Sequence, residues 1–493
     1  MTGSPLFPFR DPDDFRRLRE ELAGANYNDG AIAELLGVGL GNLREKKLPV
    51  VLRRTRGGSP LETLVRLFVL GVPVGVAAAR SALPALAPEW FAERGVVRVD
   101  GDRVEATVQL RCYQGLIVAF DFLRRHGEAL SPEFVMGISP SSLTLGGLTI
   151  RRPNQAALDL GTGSGFQAFL AAQHSERVVA TDKNPRAVEI ARFNVALNNL
   201  SQVECREGDL FEPVAGERFD LIVSNPPFII SPDNVYFFLH SGMTGDEVCR
   251  RIAREAAGYL TPGGFCQYLA NWTEVAGEDW RDRLAGWCEG TGCDAVVLRR
   301  ASQPPDEYAA IWIETEGGEA EFAKSFDTWM DYYQRLGVAS VSSGLVTLRR
   351  SEHAEPWFWA EETPETMTFP AGGDLLRAFE AQDFLRAASD EAVLAARFRV
   401  STDVRLDQQS RPTDEGWQSV TTLLRRDGGL HWSGGIDLYG AEMLGGCDGT
   451  RTIGELLDDL AAAAEVDWGD QLPTWVAIVR RLTERGFLVP VTG

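Results

Sequence analysis

The chain has 493 residues, of which 44% are hydrophobic and 24% are charged, and its formal net charge is -21 at pH 7. This composition is typical of globular proteins, and the length is enough for about three domains of about 150 residues each. The excess of acidic residues argues against general binding to nucleic-acid phosphates, because such binding rests on clustered Lys and Arg. Protein, peptide and small-molecule partners are favoured instead.

The seven cysteines are scattered along the chain without a Cys-x-x-Cys pair. They predict neither a disulfide framework nor a zinc site, and the sequence implies no metal. The N-terminus lacks the charged and then apolar pattern of a signal peptide, and no apolar stretch reaches the about 18 residues that a membrane span needs. We therefore expect a cytoplasmic protein without a membrane partner.

The first predicted domain, residues 1–131, contains short helices followed by a β-hairpin. Apolar residues recur at helical spacing from Leu61 to Phe68. Residues 96–99 and 104–108 read as strands, and Gly101 between them supplies the positive φ that a tight turn needs. Helices followed by a two-stranded wing favour a winged-helix-like α+β domain.

The second predicted domain, residues 132–350, alternates apolar strands with amphipathic helices. This alternation is typical of a doubly wound α/β domain, in which helices cover both faces of a mostly parallel sheet. The helix after Pro185 has apolar residues at helical spacing on one face. The predicted strands are residues 157–160, 178–181, 203–205, 221–224, 265–269, 295–298 and 345–348.

The third predicted domain comprises residues 351–493 and begins with a linker. Residues 352–365 are rich in acid, Pro and aromatic side chains, which predicts the linker. Thr452 and Glu455 form a capping box in front of an amphipathic helix. A second amphipathic helix and a short apolar strand at residues 487–489 follow. This order again favours a winged-helix-like α+β domain.

A glycine-rich turn follows the first strand of the central domain. Its sequence is Leu158-Asp159-Leu160-Gly161-Thr162-Gly163-Ser164-Gly165, and its glycines let the backbone approach a ligand closely. Such a turn alone fits a dinucleotide equally well. Asp182, at the end of the next strand, can accept hydrogen bonds from both ribose hydroxyls of an adenosine. Asp209, after a further helix and strand, can accept one from an adenine amino group.

The next strand ends in Asn225-Pro226-Pro227-Phe228, at the edge of the sheet where open α/β folds bind ligands. A planar amide or aromatic amino nitrogen is a poor nucleophile because its lone pair is delocalised. The side-chain oxygen of Asn225 and the backbone carbonyl of Pro226 can each accept one N–H, which aims the lone pair at a methyl donor. Prolines fix φ, and Phe228 can stack on a planar acceptor. A carboxylate acceptor fits less well, because it has no N–H to donate.

These four motifs, in this order, resemble those of class I methyltransferases that modify amino and amide nitrogens. Release-factor glutamine, ribosomal-RNA guanine and DNA adenine methyltransferases are examples. The resemblance covers the central domain and implies a Rossmann-like fold with S-adenosyl-L-methionine as cofactor. Phe228 stands where release-factor enzymes usually carry Tyr, and is more like the ribosomal-RNA guanine enzymes.

The resemblance also implies a role for each motif. The catalytic residues are Asn225, Pro226, Pro227 and Phe228. The residues expected to bind the cofactor are Asp159, Gly161, Thr162, Gly163, Gly165, Asp182, Lys183, Asp209, Leu210 and Asn225. Within this set Asp182 holds the ribose and Asp209 the adenine amino group, while the backbone of Lys183 and Leu210 lines the ring. The turn Pro262-Gly263-Gly264 is similar to a late turn that such enzymes often contain.

Residues 229–247 form a long segment after the Asn-Pro-Pro-Phe motif. Its aromatic side chains, Tyr236, Phe237 and Phe238, are candidates to shape the acceptor pocket, and its glycines suggest a flexible lid. Two roles stay open for His240, a proton acceptor or a structural residue.

The leading hypothesis is methyl transfer to a planar nitrogen, either a side-chain amide of a protein or peptide or an exocyclic amine of an RNA base. The acidic composition favours the protein or peptide. A second hypothesis is a tailoring methyltransferase of a peptide natural product, including O-methylation, because residues 444–456 resemble peptide-binding winged-helix modules. A third is a cofactor-sensing regulator without catalysis, against which the intact Asn225 argues.

Overall fold

The computed structural model describes residues 6–9, 11–37, 48–123, 130–313, 318–414, 416–465, 467 and 469–491. The chain divides into two compact units, each made of two segments. The first unit is Met1–Gly146 with Arg152–Glu361, and the second is Gly147–Arg151 with Glu362–Gly493. The division into three domains at residues 131 and 350 stays a prediction.

The N-terminal part of the first unit combines short helices with antiparallel strands. Strands β1, β3 and β2 form one sheet in that order, and β4 pairs with β5. The predicted hairpin is confirmed as β2 and β3, which meet at Gly101 with a φ of 57°. The bounds are α1 (Pro12–Gly24), α2 (Asp29–Leu36), α3 (Leu48–Arg54), α4 (Pro60–Leu64), β1 (Val74–Gly75), α5 (Val76–Ala82), α6 (Pro88–Glu93), β2 (Val97–Asp100), β3 (Arg103–Ala106), β4 (Gln109–Tyr113) and β5 (Leu116–Phe120).

The rest of the first unit alternates strands and helices, as the apolar pattern predicts. Each predicted strand of the central domain lies inside an observed one. The bounds are α7 (Pro140–Leu148), β6 (Asn154–Leu160), α8 (Phe166–Ala171), β7 (Ser175–Asp182), α9 (Pro185–Leu197), β8 (Val203–Glu207), β9 (Phe219–Ser224), α10 (Glu247–Ala256), β10 (Leu260–Val275), α11 (Trp280–Cys288), β11 (Cys293–Gln303), α12 (Pro305–Trp312), α13 (Glu319–Leu336), β12 (Val338–Arg350) and β13 (Phe358–Glu362).

The central sheet has eight strands in the order β13-β11-β12-β10-β9-β6-β7-β8. The strands from β8 to β10 in this order are parallel, whereas β12 is antiparallel to both of its neighbours. The prediction of a mixed α/β unit around a mostly parallel sheet is therefore confirmed. Helices α10 and α11 cover part of the sheet, where Trp272 and Tyr268 are fully buried.

The linker predicted over residues 352–365 is wrong for its middle part, because β13 lies there and joins the central sheet. The backbone carbonyl of the buried Trp357 accepts a hydrogen bond from the Ala295 N–H at 2.8 Å. As an edge strand with partly exposed side chains, β13 lacks the continuous apolar run that marks a buried strand. Because this apolar run is missing, the acidic residues of the segment were interpreted as part of a linker.

The second unit contains two three-stranded antiparallel sheets, β18-β14-β19 and β15-β16-β17. The predicted capping box of Thr452 and Glu455 is confirmed. The winged-helix-like character of both flanking regions stays a prediction. The bounds are α14 (Gly372–Ala387), α15 (Asp390–Ala395), β14 (Arg397–Val400), β15 (Val404–Thr413), β16 (Gly416–Arg426), β17 (Ser433–Gly435), α16 (Leu438–Gly446), β18 (Asp448–Thr452), α17 (Ile453–Ala464), α18 (Leu472–Glu484) and β19 (Leu488–Pro490).

In the described part of the chain, no helix combines the length and the apolar character that crossing a bilayer requires. Within the same residues, no group of three or more His, Cys, Asp or Glu side chains is arranged to hold a metal ion.

Candidate active site

A cleft lies at the carboxyl ends of the parallel strands β6, β7 and β9. Because these ends meet at one edge of the sheet, motifs that are far apart in sequence come together. Of the described residues in the predicted set, Gly165, Pro226 and Phe228 do not line the cleft. Those that line it are Asp159, Gly161, Thr162, Gly163, Asp182, Lys183, Asp209, Leu210, Asn225 and Pro227.

The glycines of the turn after β6 serve two different purposes. Gly161 has a φ of 73° and Gly163 a φ of 54°, and both values lie in the left-handed region that other residues rarely adopt. A Cβ at either position would meet no atom of the described residues within 4 Å, so both border open space. A Cβ at Gly165 would lie 2.3 Å from the Phe169 ring. Packing against α8, together with a left-handed φ of 90°, therefore accounts for the third glycine.

The buried Asp159 connects the turn to the helix that follows it. Its Oδ2 accepts hydrogen bonds from the Thr162 hydroxyl at 2.5 Å and from the Ala168 N–H at 2.9 Å. Burial raises the pKa of Asp159 to about 7, although these two donors oppose the shift. The carboxyl group thus fixes the turn at a cost in desolvation.

Asp182, at the end of β7, holds the same turn from the neighbouring strand. One carboxylate oxygen accepts the Gly163 N–H at 2.8 Å, and the other accepts the Asn184 N–H at 2.9 Å. Burial raises the pKa of Asp182, because a carboxylate loses its hydration in this position. Two carboxyl groups so close to the cleft favour a ligand with hydroxyl donors or positive charge.

Asp209 and Leu210, shortly after β8, also line the cleft. An oxygen of Asp209 lies 3.2 Å from Nη1 of Arg251 on α10, and its side chain is 43% exposed. Leu210 has a φ of 44°, which is uncommon for a residue with a branched side chain and is typical of strained functional sites. The Lys183 ammonium lies 5.5 Å from the centre of the Phe237 ring, which also lines the cleft.

Asn225 has one satisfied and one unsatisfied side-chain atom. Its Nδ2 donates a hydrogen bond to the Ser141 hydroxyl at 3.3 Å. Its Oδ1 is buried and has no hydrogen-bond partner among the described residues. A buried amide oxygen without a partner costs about 1–3 kcal/mol. An N–H donor from a ligand in the cleft would remove this cost.

Phe228 lies behind the cleft. It pairs with His240 in an antiparallel bridge, and its side chain packs against two apolar clusters. Its predicted stacking on an acceptor stays a prediction.

His240 is buried and organises the segment around it. Its Nδ1 accepts hydrogen bonds from the Val235 N–H at 3.1 Å and the Tyr236 N–H at 3.3 Å. Burial lowers the pKa of His240, so the neutral ring that can accept these bonds is favoured. Of the two roles left open by the sequence, these contacts support the structural one.

Of the aromatic residues expected to shape the acceptor pocket, Phe237 and Phe238 line the cleft and Tyr236 does not. Their contact with an acceptor stays a prediction. The Phe237 N–H donates to the Pro132 carbonyl at 3.2 Å, and the Phe134 and Phe238 rings lie 5.0 Å apart. Residues 134–137 complete this wall. Sequence reasoning missed them, because they precede the recognisable motifs and carry none of their own.

Helices α12 and α13 contribute contacts that the sequence did not reveal. The Tyr308 hydroxyl accepts hydrogen bonds from the Ile230 N–H at 3.2 Å and from Asn271 Nδ2 at 2.7 Å. The Tyr333 hydroxyl donates to the Ile230 carbonyl at 2.7 Å. Both polar groups of the Ile230 backbone, two residues after the motif, are thus bound by tyrosines from distant helices.

Two further residues of α13 reach the same segment. The Trp329 indole N–H donates to Asp233 at 2.9 Å, and the Tyr332 hydroxyl accepts the Gly245 N–H at 2.8 Å. Trp329, Tyr332 and Tyr333 stand at i, i+3 and i+4, so the sequence does contain an aromatic helical face. The pattern predicts burial of this face but not its partner.

The cleft fits the chemistry of S-adenosylmethionine in three respects. There is open space beside Gly161 and Gly163, the carboxyl groups of Asp159 and Asp182 lie along one wall, and the Asn225 oxygen lacks a partner.

Known protein families match three parts of the chain. Residues 141–276 match the methyltransferase small domain. Residues 24–107 and 377–490 match two domains of unknown function, DUF7059 and DUF7782. The first match contains the glycine-rich turn and the Asn-Pro-Pro-Phe motif.

Curated relatives align with the same central region. A release factor glutamine methyltransferase of Xylella fastidiosa is 40% identical over 130 residues, which are 24% of this chain and 47% of that protein. A ribosomal protein uL3 glutamine methyltransferase of Bradyrhizobium diazoefficiens is 38% identical over 158 residues, 29% of this chain and 50% of that protein. The chain thus spans about half the length of these two relatives, 47% and 50%.

A third relative is covered more completely. A putative protein N5-glutamine methyltransferase of Methanocaldococcus jannaschii is 33% identical over 147 residues, which are 28% of this chain and 73% of that protein. The aligned part of the chain therefore corresponds to most of that shorter protein.

Proposed function

Because the chain belongs to the class I S-adenosylmethionine-dependent N-methyltransferases, we propose that it methylates the side-chain amide nitrogen of a glutamine in a protein. The observation that carries the proposal is the buried Oδ1 of Asn225, which has no hydrogen-bond partner among the described residues. An amide nitrogen brings N–H donors to this atom, whereas a carboxylate brings none.

Asn225 and Pro226 act on the acceptor nitrogen. Oδ1 of Asn225 accepts one N–H, while Ser141 binds the other end of the Asn225 amide. We assign the second N–H to the backbone carbonyl of Pro226, which directly follows Asn225 although Pro226 does not line the cleft. The two bonds together turn the nitrogen lone pair out of conjugation and towards the methyl group. Once methylated, the nitrogen is acidic and loses its proton to water, so no strong general base is needed.

The residues at the ends of β6, β7 and β8 hold the cofactor, which supplies a methyl group on a positively charged sulfur. The turn containing Gly161 and Gly163 accommodates its methionine part, and Asp182 accepts hydrogen bonds from the ribose hydroxyls. Asp209 accepts one from the adenine amino group, beside the backbone of Lys183 and Leu210. Carboxyl groups whose pKa is raised by burial favour a cationic ligand, because its charge offsets their desolvation.

A protein acceptor is favoured on two grounds. The curated relatives are named for glutamine in release factors and in a ribosomal protein. The net charge of -21 disfavours the nucleic-acid alternative, because a strongly acidic surface repels phosphates.

The test is to incubate the purified full chain with methyl-labelled cofactor and a cell extract, and then to divide the product between protease and nuclease digestion. We expect the label in protein, as N5-methylglutamine after complete hydrolysis by proteases. Label released only by nuclease would overturn the protein acceptor, and label lost in mild base would indicate a methyl ester instead.

Asn225→Ala is the matched variant for this experiment. It should lower the turnover number about 100- to 1000-fold, as the loss of one well-placed polar group at a reacting centre commonly does. Cofactor affinity measured by calorimetry should change little. A biological effect that persists in Asn225→Ala would instead support the cofactor-sensing regulator.

A further inference from the structure

Two asparagines one turn apart, Asn194 on α9 and Asn198 at the cap directly after it, bind the backbone of strand β5. Oδ1 of Asn198 accepts the Ile117 N–H at 2.8 Å, and its Nδ2 donates to the Ile117 carbonyl at 2.7 Å. Asn194 makes the same pair with Ala119, at 2.7 Å and 2.8 Å. Each side-chain amide therefore pairs with the N–H and the carbonyl of one β5 residue, as the backbone of a neighbouring strand would, along the edge of β5 that does not face β4.

The two asparagines differ in their third contact. The remaining N–H of Asn198 donates to the Asn194 carbonyl at 2.8 Å, within the helix. The remaining N–H of Asn194 donates to the Ser164 carbonyl at 2.9 Å. Ser164 is buried and stands between Gly163 and Gly165 in the glycine-rich turn. Because Asn194 is fully buried and all of its polar side-chain atoms are engaged, the orientation of its amide is fixed.

The glycine-rich turn is thus held from three elements. Asp159 of β6 binds Thr162, Asp182 of β7 binds Gly163, and Asn194 of α9 binds the Ser164 carbonyl. Glycines allow many backbone conformations, so a turn that contains three of them needs such contacts to adopt one. Among these three contacts, the one from Asn194 connects the turn to the N-terminal region.

The end of β5 also reaches another wall of the cleft. A carboxylate oxygen of Asp121, directly after β5, accepts the Val135 N–H at 2.9 Å and the Arg186 Nε–H at 2.9 Å. The second oxygen accepts from Nη2 of Arg186 at 2.5 Å. Val135 lines the cleft. The hairpin therefore reaches one part of the cleft through Asn194 of α9 and another through Asp121, which directly follows β5.

We propose that Asn194 is a positioning residue through which the N-terminal β4–β5 hairpin sets the glycine-rich turn for cofactor binding. The inference rests on the proposed function, since it concerns the same site. Binding of the hairpin and binding of the cofactor then stabilise each other, because a coupling between two sites acts equally in both directions.

The first experiment compares Asn194→Ala with Asn198→Ala in the full chain. Each variant loses a pair of bonds to β5 and one further bond, so both should lower the unfolding temperature, and Asn194→Ala should lower it more because Asn194 is fully buried and Asn198 only partly. Calorimetry with S-adenosylhomocysteine should show an affinity about tenfold weaker for Asn194→Ala and nearly unchanged for Asn198→Ala. Equal affinities for the two variants would overturn the inference.

A second measurement needs no variant and decides the question if one of them does not fold. Hydrogen exchange of the backbone amides of β5 in the wild-type chain should slow when S-adenosylhomocysteine is added, because Asn194 connects β5 to the glycine-rich turn. The β2–β3 hairpin serves as the control and should be unaffected. No slowing in β5, or equal slowing in both hairpins, would overturn the inference. A wild-type chain that does not bind the compound would instead contradict the proposed function.

Discussion

The two sides of the cleft are fixed by different kinds of contact. On the cofactor side, the glycine-rich turn is bound by Asp159 within nine residues and by Asp182 from the neighbouring strand, 19 residues away. On the acceptor side, Ile230 is bound by Tyr308 and Tyr333, which follow it by 78 and 103 residues. The cofactor half is specified mainly by local motifs, with the contact from Asn194 as its link to a distant strand, whereas the acceptor half depends on packing between distant elements.

This difference implies that the two halves can be altered separately. Changes on the cofactor side should mainly affect the affinity for S-adenosylmethionine and its product. Changes in α12 and α13 should mainly affect the KM for the acceptor, because these helices contact the segment after the motif.

Among the changes that test this separation of the two halves, the largest effect is expected for Gly161→Ala. A side chain here would project into the open cleft from a backbone with a φ of 73°, and filling a fitted site in this way costs about 1–3 kcal/mol, or about 10- to 100-fold in cofactor affinity. Gly290→Ala is the matched control, because Gly290 also has a φ of 73° and its Cβ would meet no described atom within 4 Å. Titration calorimetry with the cofactor should detect weaker binding only for Gly161→Ala. Equal cofactor affinities of the two variants would refute the separation of the cofactor side from the rest of the chain.

An intermediate effect is expected for Tyr333→Phe. Removal of the hydroxyl leaves the Ile230 carbonyl without its donor, which should destabilise the chain by about 1 kcal/mol and raise the acceptor KM several-fold. Tyr27→Phe is the control, because the Tyr27 hydroxyl donates a comparable buried bond of 2.6 Å to the Leu110 carbonyl. Both variants should lower the unfolding temperature, but a rise in the KM for Tyr27→Phe as well would contradict a specific role of α13.

The smallest effect is expected for the pH dependence of His240. Burial lowers its pKa below the ordinary value of 6.5, while the charge of Asp233 opposes the shift. The unfolded chain therefore takes up the proton first, so the stability that the neutral ring contributes is complete above about pH 6.5 and is lost as the pH falls from there towards the folded pKa. Thermal unfolding of the wild type and of His240→Asn, which retains an acceptor in place of Nδ1, should diverge in this acidic window. If the unfolding temperatures of the two proteins changed in parallel with pH, the titration of His240 would make no contribution to stability.

The central domain was predictable because its signals are local. Buried strands such as β6, β7 and β9 are short apolar runs, and the motifs at their ends fall on one edge of a parallel sheet. The edge strand β13 was missed because acidic residues interrupt its apolar pattern. The sequence grouped Gly165 with Gly161 and Gly163 as a cofactor-binding glycine. In the structure, a Cβ at Gly165 would clash with the Phe169 ring.

Contacts made at long range left no comparable signal. Asn194 stands in a helix whose apolar face was identified, but the sequence does not state that its amide binds Ala119 and Ser164. The aromatic residues of α13 predict a buried face, and only the fold reveals that this face binds the segment after the motif. The pairing of Asp209 with Arg251 is of the same kind.

The position of α12 and α13 has a consequence for how such a protein can diversify. These helices leave the sheet after β11 and return to it at β12, and the two strands pair with each other from Cys293 and Arg350 to Gln303 and Val341. The pair of helices is therefore an insertion at the end of a strand hairpin. A different insertion at this point would change the shape of the segment after Phe228, and with it the acceptor. The methyl-transfer chemistry at the ends of the parallel strands would stay the same.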